Sequence, residues 1–224
     1  MVNERSSIGS RAEHSSDACM SSRVVSGPAM TALEPVVILG AGGFGRECHD
    51  IITEMNSDVP RWDFRGLFDD REPGPDLLKR RTASWLGPVS QVDSHSGAHF
   101  VAAVADPVAR ERLVGVATAA GLEPATLMHP SAVRGGGVDV GQGSVICSHA
   151  TITTDVSLGR FAQIHINCAI GHDVVADDFV TVLPSATIGG GVRLRARAVV
   201  GSHGTVVQGL GRVSKVLQPD GDGS

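Results

Sequence analysis

The chain contains no tyrosine, and aromatic residues make up only 4% of its 224 positions. That scarcity suggests a core of small and branched aliphatics. Cysteine is scarce too: Cys19, Cys48, Cys147 and Cys168 show no C-x-x-C spacing. That argues against a disulfide framework or a zinc ribbon and fits a reducing compartment. Long apolar runs are missing, so neither a membrane span nor a signal peptide is expected, and a cytoplasmic location follows. Positive charge is not in excess: 19 Lys and Arg against 24 Asp and Glu give a net charge of −5. A nucleic-acid partner would need the opposite balance.

What is abundant is glycine, at 28 residues, with 42% hydrophobic content, which describes a globular chain with many turns. Residues 1–34 are rich in Ser, Gly, Ala and charge without periodicity, and read as a disordered leader. From Pro35 the texture changes. "VVILG" is a strand-like run followed by "AGGFG", and "RECHDIITEM" carries helical spacing through Cys48, Ile51, Ile52 and Met55. "WDFRGLFDD" and "HFVAAVAD" read as further strands, and "PVARERLVGVATAAG" as a helix opened by Pro and closed by Gly. Strands alternating with helices over 35–127 predict a small Rossmann-like parallel sheet with room for about four strands.

Beyond "LMHPSA" the helical pattern stops and a period of six takes over. Stepping from Val140 gives Ile146, Ile152, Leu158, Ile164, Ile170, Ala176, Val182, Ile188, Leu194, Val200 and Val206. Stepping from Val138 gives Ser144, Ala150, Val156, Ala162, Cys168, Val174, Val180, Ala186, Val192, Ala198 and Gly204, all small or Val. These interleaved registers are the hexapeptide signature of a parallel β-helix. In it the aliphatic residue points inward, and the small residue two places earlier lets the chain turn. Three hexads, about 18 residues, make one coil, so residues 128–211 hold about four coils. The register fails at Arg212 and Gln218, and 212–224 read as a frayed tail.

This register assigns the pair His172-Asp173 a position. Ile170 points inward and Val174 is the small residue, so His172 lies at a corner, outside the prism. There it is either a bystander or a functional group at an inter-subunit face, where Asp173 would orient and support an imidazole. "GAGGFG" fits G-x-G-x-x-G between a strand and a helix. Its glycines serve either a tight turn or close approach of a phosphate to the helix N-terminus. Size argues against a dinucleotide and for a mononucleotide. Asp69-Asp70 after the second strand are either a plain turn or acceptors for a base or ribose, and Arg110 reads as a solvated cation.

"HPSAV", the hexad ladder and "INCAIGHDVVADDFVTVLPSA" resemble the hexapeptide-repeat sugar O-/N-acyltransferases of the sialic acid O-acetyltransferase and bacillosamine N-acetyltransferase type. "GAGGFG", "LFDD", "LGPV" and Arg110 resemble the amino-terminal half of the same family, and the likeness spans roughly residues 35–211. The resemblance implies a left-handed β-helix that forms homotrimers and moves an acetyl group from acetyl-CoA to an amine or hydroxyl of a nucleotide-linked sugar. It implies His172 as general base with Asp173 behind it. Gly42, Gly43, Phe44, Asp69 and Asp70 would then contact the nucleotide sugar, and Asn167, Thr181, Gly189 and Gly190 the CoA. No metal is expected. The family often has a second histidine in "DFVHI" where this chain has Thr181, and its usual additional coil and "GNPA"-like ending are absent. Two other classes remain open: a β-helical zinc hydratase drawing on His129, His149, His165, His172 or His203, and a non-catalytic scaffold.

Overall fold

In the computed structural model, residues 32–208 and 212–216 are described; the expected leader lies almost entirely outside them. The α/β segment runs β1 (Glu34–Leu39), α1 (Gly43–Asp58), β2 (Trp62–Phe68), α2 (Pro75–Lys79), β3 (Trp85–Gly87), β4 (His99–Ala102), α3 (Pro107–Ala119) and β5 (Glu123–Pro124). The strands pair in parallel in the order β3-β2-β1-β4-β5. The sheet thus has five strands, not about four. β3 and β5 hold three and two residues, too few to show any periodicity.

β1 is central, which explains its unbroken apolar run: Val36 and Ile38 pack to one side, Val37 and Leu39 to the other. α1 buries Cys48, Ile51 and Ile52 along one stripe. α3 starts where the sequence indicates, with Pro107 in its first turn and the Asp106 carboxylate accepting from Ala109 N at 2.7 Å.

The hexads form a three-faced parallel helix. One face stacks Leu127–Met128, Val145–Ile146, Gln163–Ile164, Thr181–Val182 and the end of Arg193–Val200. The α/β segment lies against it, and its outward residues Val145, Gln163 and Thr181 are buried. A second face carries Asp139, Ser157, Val175 and Arg193 outward. The third carries Val133, Thr151, Ala169, Thr187 and Thr205, all exposed and none charged. Both six-residue registers are buried along almost their whole length.

Each corner contains a residue in the left-handed region. At every sixth position from Gly137 to His203 φ lies between 55° and 78°. Glycine, Asn and Asp accept this readily, whereas for Phe161, Phe179 and Arg197 it costs about 1–2 kcal/mol each. Packing offsets the strain: Phe161 and Phe179 stack with centroids 5.2 Å apart, and Phe161 reaches Phe100 of β4. The tail also departs from expectation. Arg212–Val216 form a strand paired in parallel with Arg193–Val200, so a further strand covers the last coil; residues 217–224 lie outside the described residues.

Candidate active site

His172 sits at the corner between the uncharged and the Asp/Arg-bearing faces, in the turn after Ala169–Ile170, with its side chain about half exposed. Its Nδ1 lies 2.7 Å from Asp173 Oδ2. A carboxylate there fixes the proton on Nδ1 and leaves the Nε2 lone pair free. Asp173 itself takes the left-handed corner conformation at φ 58°, which an aspartate adopts at little cost. One coil further on lies Gly190. A Cβ there would come within 2.6 Å of both Cε1 and Nε2 of His172. The imidazole thus rests on bare backbone, and only glycine leaves it room. The corner placement expected from the register is therefore found. Gly190 is buried beneath the ring, so it supports His172 and does not present a surface to CoA. Asn167 is exposed and Gly189 partly so; both remain reachable.

Thr181 is different. It is fully buried, and its hydroxyl donates to Ala105 O at 2.9 Å while accepting from Arg110 Nη2 at 3.0 Å. The CoA contact expected of it is thus ruled out by position, because the hydroxyl is spent inside the seam. Arg110 is likewise no solvated cation. It is 1% exposed, and its guanidinium donates to Val104 O and Ala105 O on one side and to Phe179 O, Val180 O and Thr181 Oγ1 on the other. Burial pulls its pKa down to about 10, still well above neutrality, so it stays charged. Its burial was not legible in the sequence because its partners across the seam, Phe179 O, Val180 O and Thr181 Oγ1, lie about 70 residues away.

The amino-terminal motif divides into two kinds of glycine. Gly40 has φ 109° and packs against Ala103 O, and a Cβ on Gly45 would strike Gly40 O; both are glycine because the strand-to-helix turn demands it. Gly42 and Gly43 are exposed, and a Cβ on Gly42 would meet nothing, on Gly43 only the tip of Arg46. The fold does not need them to be glycine. They open α1, whose first turn has no side-chain cap, and so leave N–H groups and bare backbone for an anion. Phe44 points elsewhere: its ring lies 4.4 Å from that of His165.

Beside this turn is a cleft of about 370 Å³ whose lining includes Gly40, Asp69, Asp70, Val104 and Arg112. It lies at the carboxyl ends of β1, β2 and β4, where the chain order reverses across the sheet, the usual ligand position in such folds. The two acids differ in use. Asp69 accepts from Ala41 N through Oδ2 and from Arg71 N through Oδ1, so it organises the glycine turn. Asp70 accepts from Val89 N through Oδ1, leaving Oδ2 without a partner among the described residues.

His165 is 5% exposed, and desolvation, then the charge of Arg110, lowers its pKa to about 4. It is neutral at physiological pH and lies in the seam, out of reach of a substrate at the exterior corner.

A short parallel α/β sheet is thus followed by a hexapeptide β-helix that carries an imidazole–carboxylate pair at an outer corner. Residues 35–116 match the PglD N-terminal domain family. The GDP-perosamine N-acetyltransferase of Escherichia coli O157:H7 is 28% identical over 177 residues, covering 77% of this chain and 78% of the relative. A histidine-to-asparagine mutant of perosamine N-acetyltransferase from Caulobacter crescentus, solved with CoA and GDP-perosamine, superposes with TM-score 0.62 at 20% identity, over 84% of this chain and 96% of that one. The acetyltransferase domain of PglB from Neisseria gonorrhoeae FA1090, in complex with acetyl coenzyme A, gives 0.60 at 22%, over 84% and 94%. The chain is thus similar to the E. coli acetyltransferase over 77% of its length, and its amino-terminal part to the PglD N-terminal domain family.

Proposed function

We propose that the protein transfers the acetyl group of acetyl-CoA to the amine of a nucleotide-linked amino sugar, with His172 as general base. The observation that carries this is the His172-Asp173 pair: an exposed imidazole with Nδ1 held by a carboxylate and Nε2 free. As the sugar amine attacks the thioester carbonyl, Nε2 takes its proton, and CoA leaves as a thiol once a proton is returned to sulfur. Asp173 steadies the transient imidazolium. A backbone N–H is the expected donor to the oxyanion.

The uncapped start of α1 with Gly42 and Gly43 receives the diphosphate, and Asp70 receives the base or ribose. Nearby Arg112, also in the cleft lining, adds positive charge for the phosphates. His172 occupies the corner opposite the face that its own α/β segment covers. A sugar held in that segment's cleft is therefore directed to the corner of a neighbouring chain, which supports a homotrimer with shared sites. The uncharged row Val133, Thr151, Ala169, Thr187 and Thr205 is the surface suited to that contact. A cytoplasmic location is part of this proposal; no described helix is long and apolar enough to cross a membrane.

The hydratase reading finds no support: among the described residues no three histidines converge, and the sole cluster of candidate metal ligands contains one histidine. The test is CoA-thiol release from acetyl-CoA with a panel of nucleotide amino sugars, beginning with GDP-perosamine, which the E. coli relative's name specifies. Release above background with at least one acceptor is expected. CoA binding by calorimetry without turnover on any acceptor would leave a scaffold, and the enzyme reading would fall.

A further inference from the structure

The seam between α1 and the β-helix brings together three metal-ligating groups with no role in the reaction above. Cys147 and His165 each follow a strand of the covered face, at Val145–Ile146 and Gln163–Ile164, which pair one coil apart. The 18-residue repeat therefore stacks the imidazole next to the thiol. α1 crosses over this corner, setting Phe44 against His165 and bringing in the carboxylate of Glu47. One ligating atom from each of Glu47, Cys147 and His165 lies within 4.8 Å of the others.

An independent observation points to an occupant. His165 is 5% exposed, yet its Nε2 is buried with no hydrogen-bond partner. Such an atom is disfavoured unless something else fills its coordination. Cys147 is 1% exposed and stands free of any disulfide. From these contacts we propose that Glu47, Cys147 and His165 form a binding site for a zinc-like divalent transition metal.

The donor set decides the class of ion. One sulfur, one imidazole nitrogen and one carboxylate oxygen suit a borderline-soft cation and not calcium or magnesium, which take oxygen. Three protein ligands leave one position for water. Ligand atoms around tetrahedral zinc stand about 3.5 Å apart, so the cluster must contract on binding. Glu47 can supply that movement, because it is exposed on a flexible side chain, and its exposure also gives the ion a path in. A thiolate and a carboxylate together neutralise the dication. Binding ties the first turns of α1, and with them the glycine turn, to the β-helix, and this stands whichever reaction the protein performs.

The probe is cobalt(II), titrated into full-length protein freed of metal by chelator. One equivalent per chain is expected to give the near-ultraviolet thiolate-to-cobalt band and the visible bands of a tetrahedral site. Cys147→Ser should abolish the near-ultraviolet band. Glu47→Ala, on an exposed position that the fold does not require, should weaken cobalt binding at least tenfold. Zinc should raise the melting temperature of the wild type and not of Glu47→Ala. Absence of a thiolate band at saturating cobalt, or a band unchanged in Cys147→Ser, would overturn the site.

Discussion

The imidazole of His172 depends on two neighbours that act in different ways. Asp173 sets its proton; Gly190 sets its position. His172→Ala should lower kcat by roughly 10²–10⁴-fold in the thiol-release assay while leaving nucleotide-sugar binding intact, since the α1 turn is on the far side of the helix. Full activity in that variant would demote the residue to a bystander. Asp173→Asn should cost less; asparagine tolerates φ 58° as well as aspartate does, so the loss reads orientation and charge and not backbone. Gly190→Ala is the more unusual case. Its methyl group would occupy the space of Cε1 and Nε2, displacing the ring without touching the prism interior. A fall in kcat of at least tenfold with an unchanged melting temperature is expected; equal activity would show that the ring's place over Gly190 is not the working one. His172 was legible from the sequence because the register excluded it from the core. Gly190 entered the sequence reading only as a CoA contact implied by the resemblance, and its place under the His172 ring is seen only in the structure, because that contact is with a side chain one coil away. The glycines at 42 and 43 were ambiguous in sequence, and only the open space around them separates ligand approach from turn geometry.

At the scale of elements, periodicity carried most of the information. Both six-residue registers appear in the structure as buried columns, because a narrow prism offers no alternative place for an aliphatic or a small residue. The left-handed corner residues carried no such signal: residues as unlike as Gly137, Phe161 and Arg197 share one conformation. The short edge strands β3 and β5 and the final strand Arg212–Val216 were equally silent, since pairing with a neighbour defines them and not their composition. Ile164→Asp would place a charge with no partner in the dry interior, at a site that is 0% exposed, and should leave insoluble protein. A soluble variant melting within a few degrees of the wild type would show the register to be wrong. Arg110→Met is a gentler probe. It keeps much of the side chain's bulk but removes five hydrogen bonds from the seam between α3 and the coil at Phe179–Thr181. Ala105 O keeps the Thr181 hydroxyl and Val180 O keeps Gln163 N, whereas Val104 O and Phe179 O lose the guanidinium that serves them. A loss of roughly 3 kcal/mol or more is expected from urea unfolding.

For the whole molecule, the arrangement of faces determines how chemistry can occur. One face is sealed by the chain's own α/β segment, through Gln163 Nε2 to Ala102 O, the Arg110 contacts and the Arg197–Glu111 pair. A second carries Asp139, Asp177 and Arg193, with Arg193 and Asp177 paired at 2.7 Å, and suits water. The third exposes only Val133, Thr151, Ala169, Thr187 and Thr205 along its outward column, without the charge that a solvated face ordinarily bears. His172 lies at its border, on the corner opposite the face that the α/β segment of the same chain covers. In the proposed homotrimer, closed cyclic symmetry about this face would give three equivalent sites, each with a cleft from one chain and a histidine from another. Ala169→Arg would set three like charges facing one another around that axis, while leaving the inward Ile170 and the cleft untouched. Light scattering should then report a mass near the 23.2 kDa of one chain where the wild type gives about three times as much. Thiol release should fall with the mass, and nucleotide-sugar binding to the α/β cleft should survive. A monomeric variant that keeps wild-type turnover would show that a single chain contains the whole site.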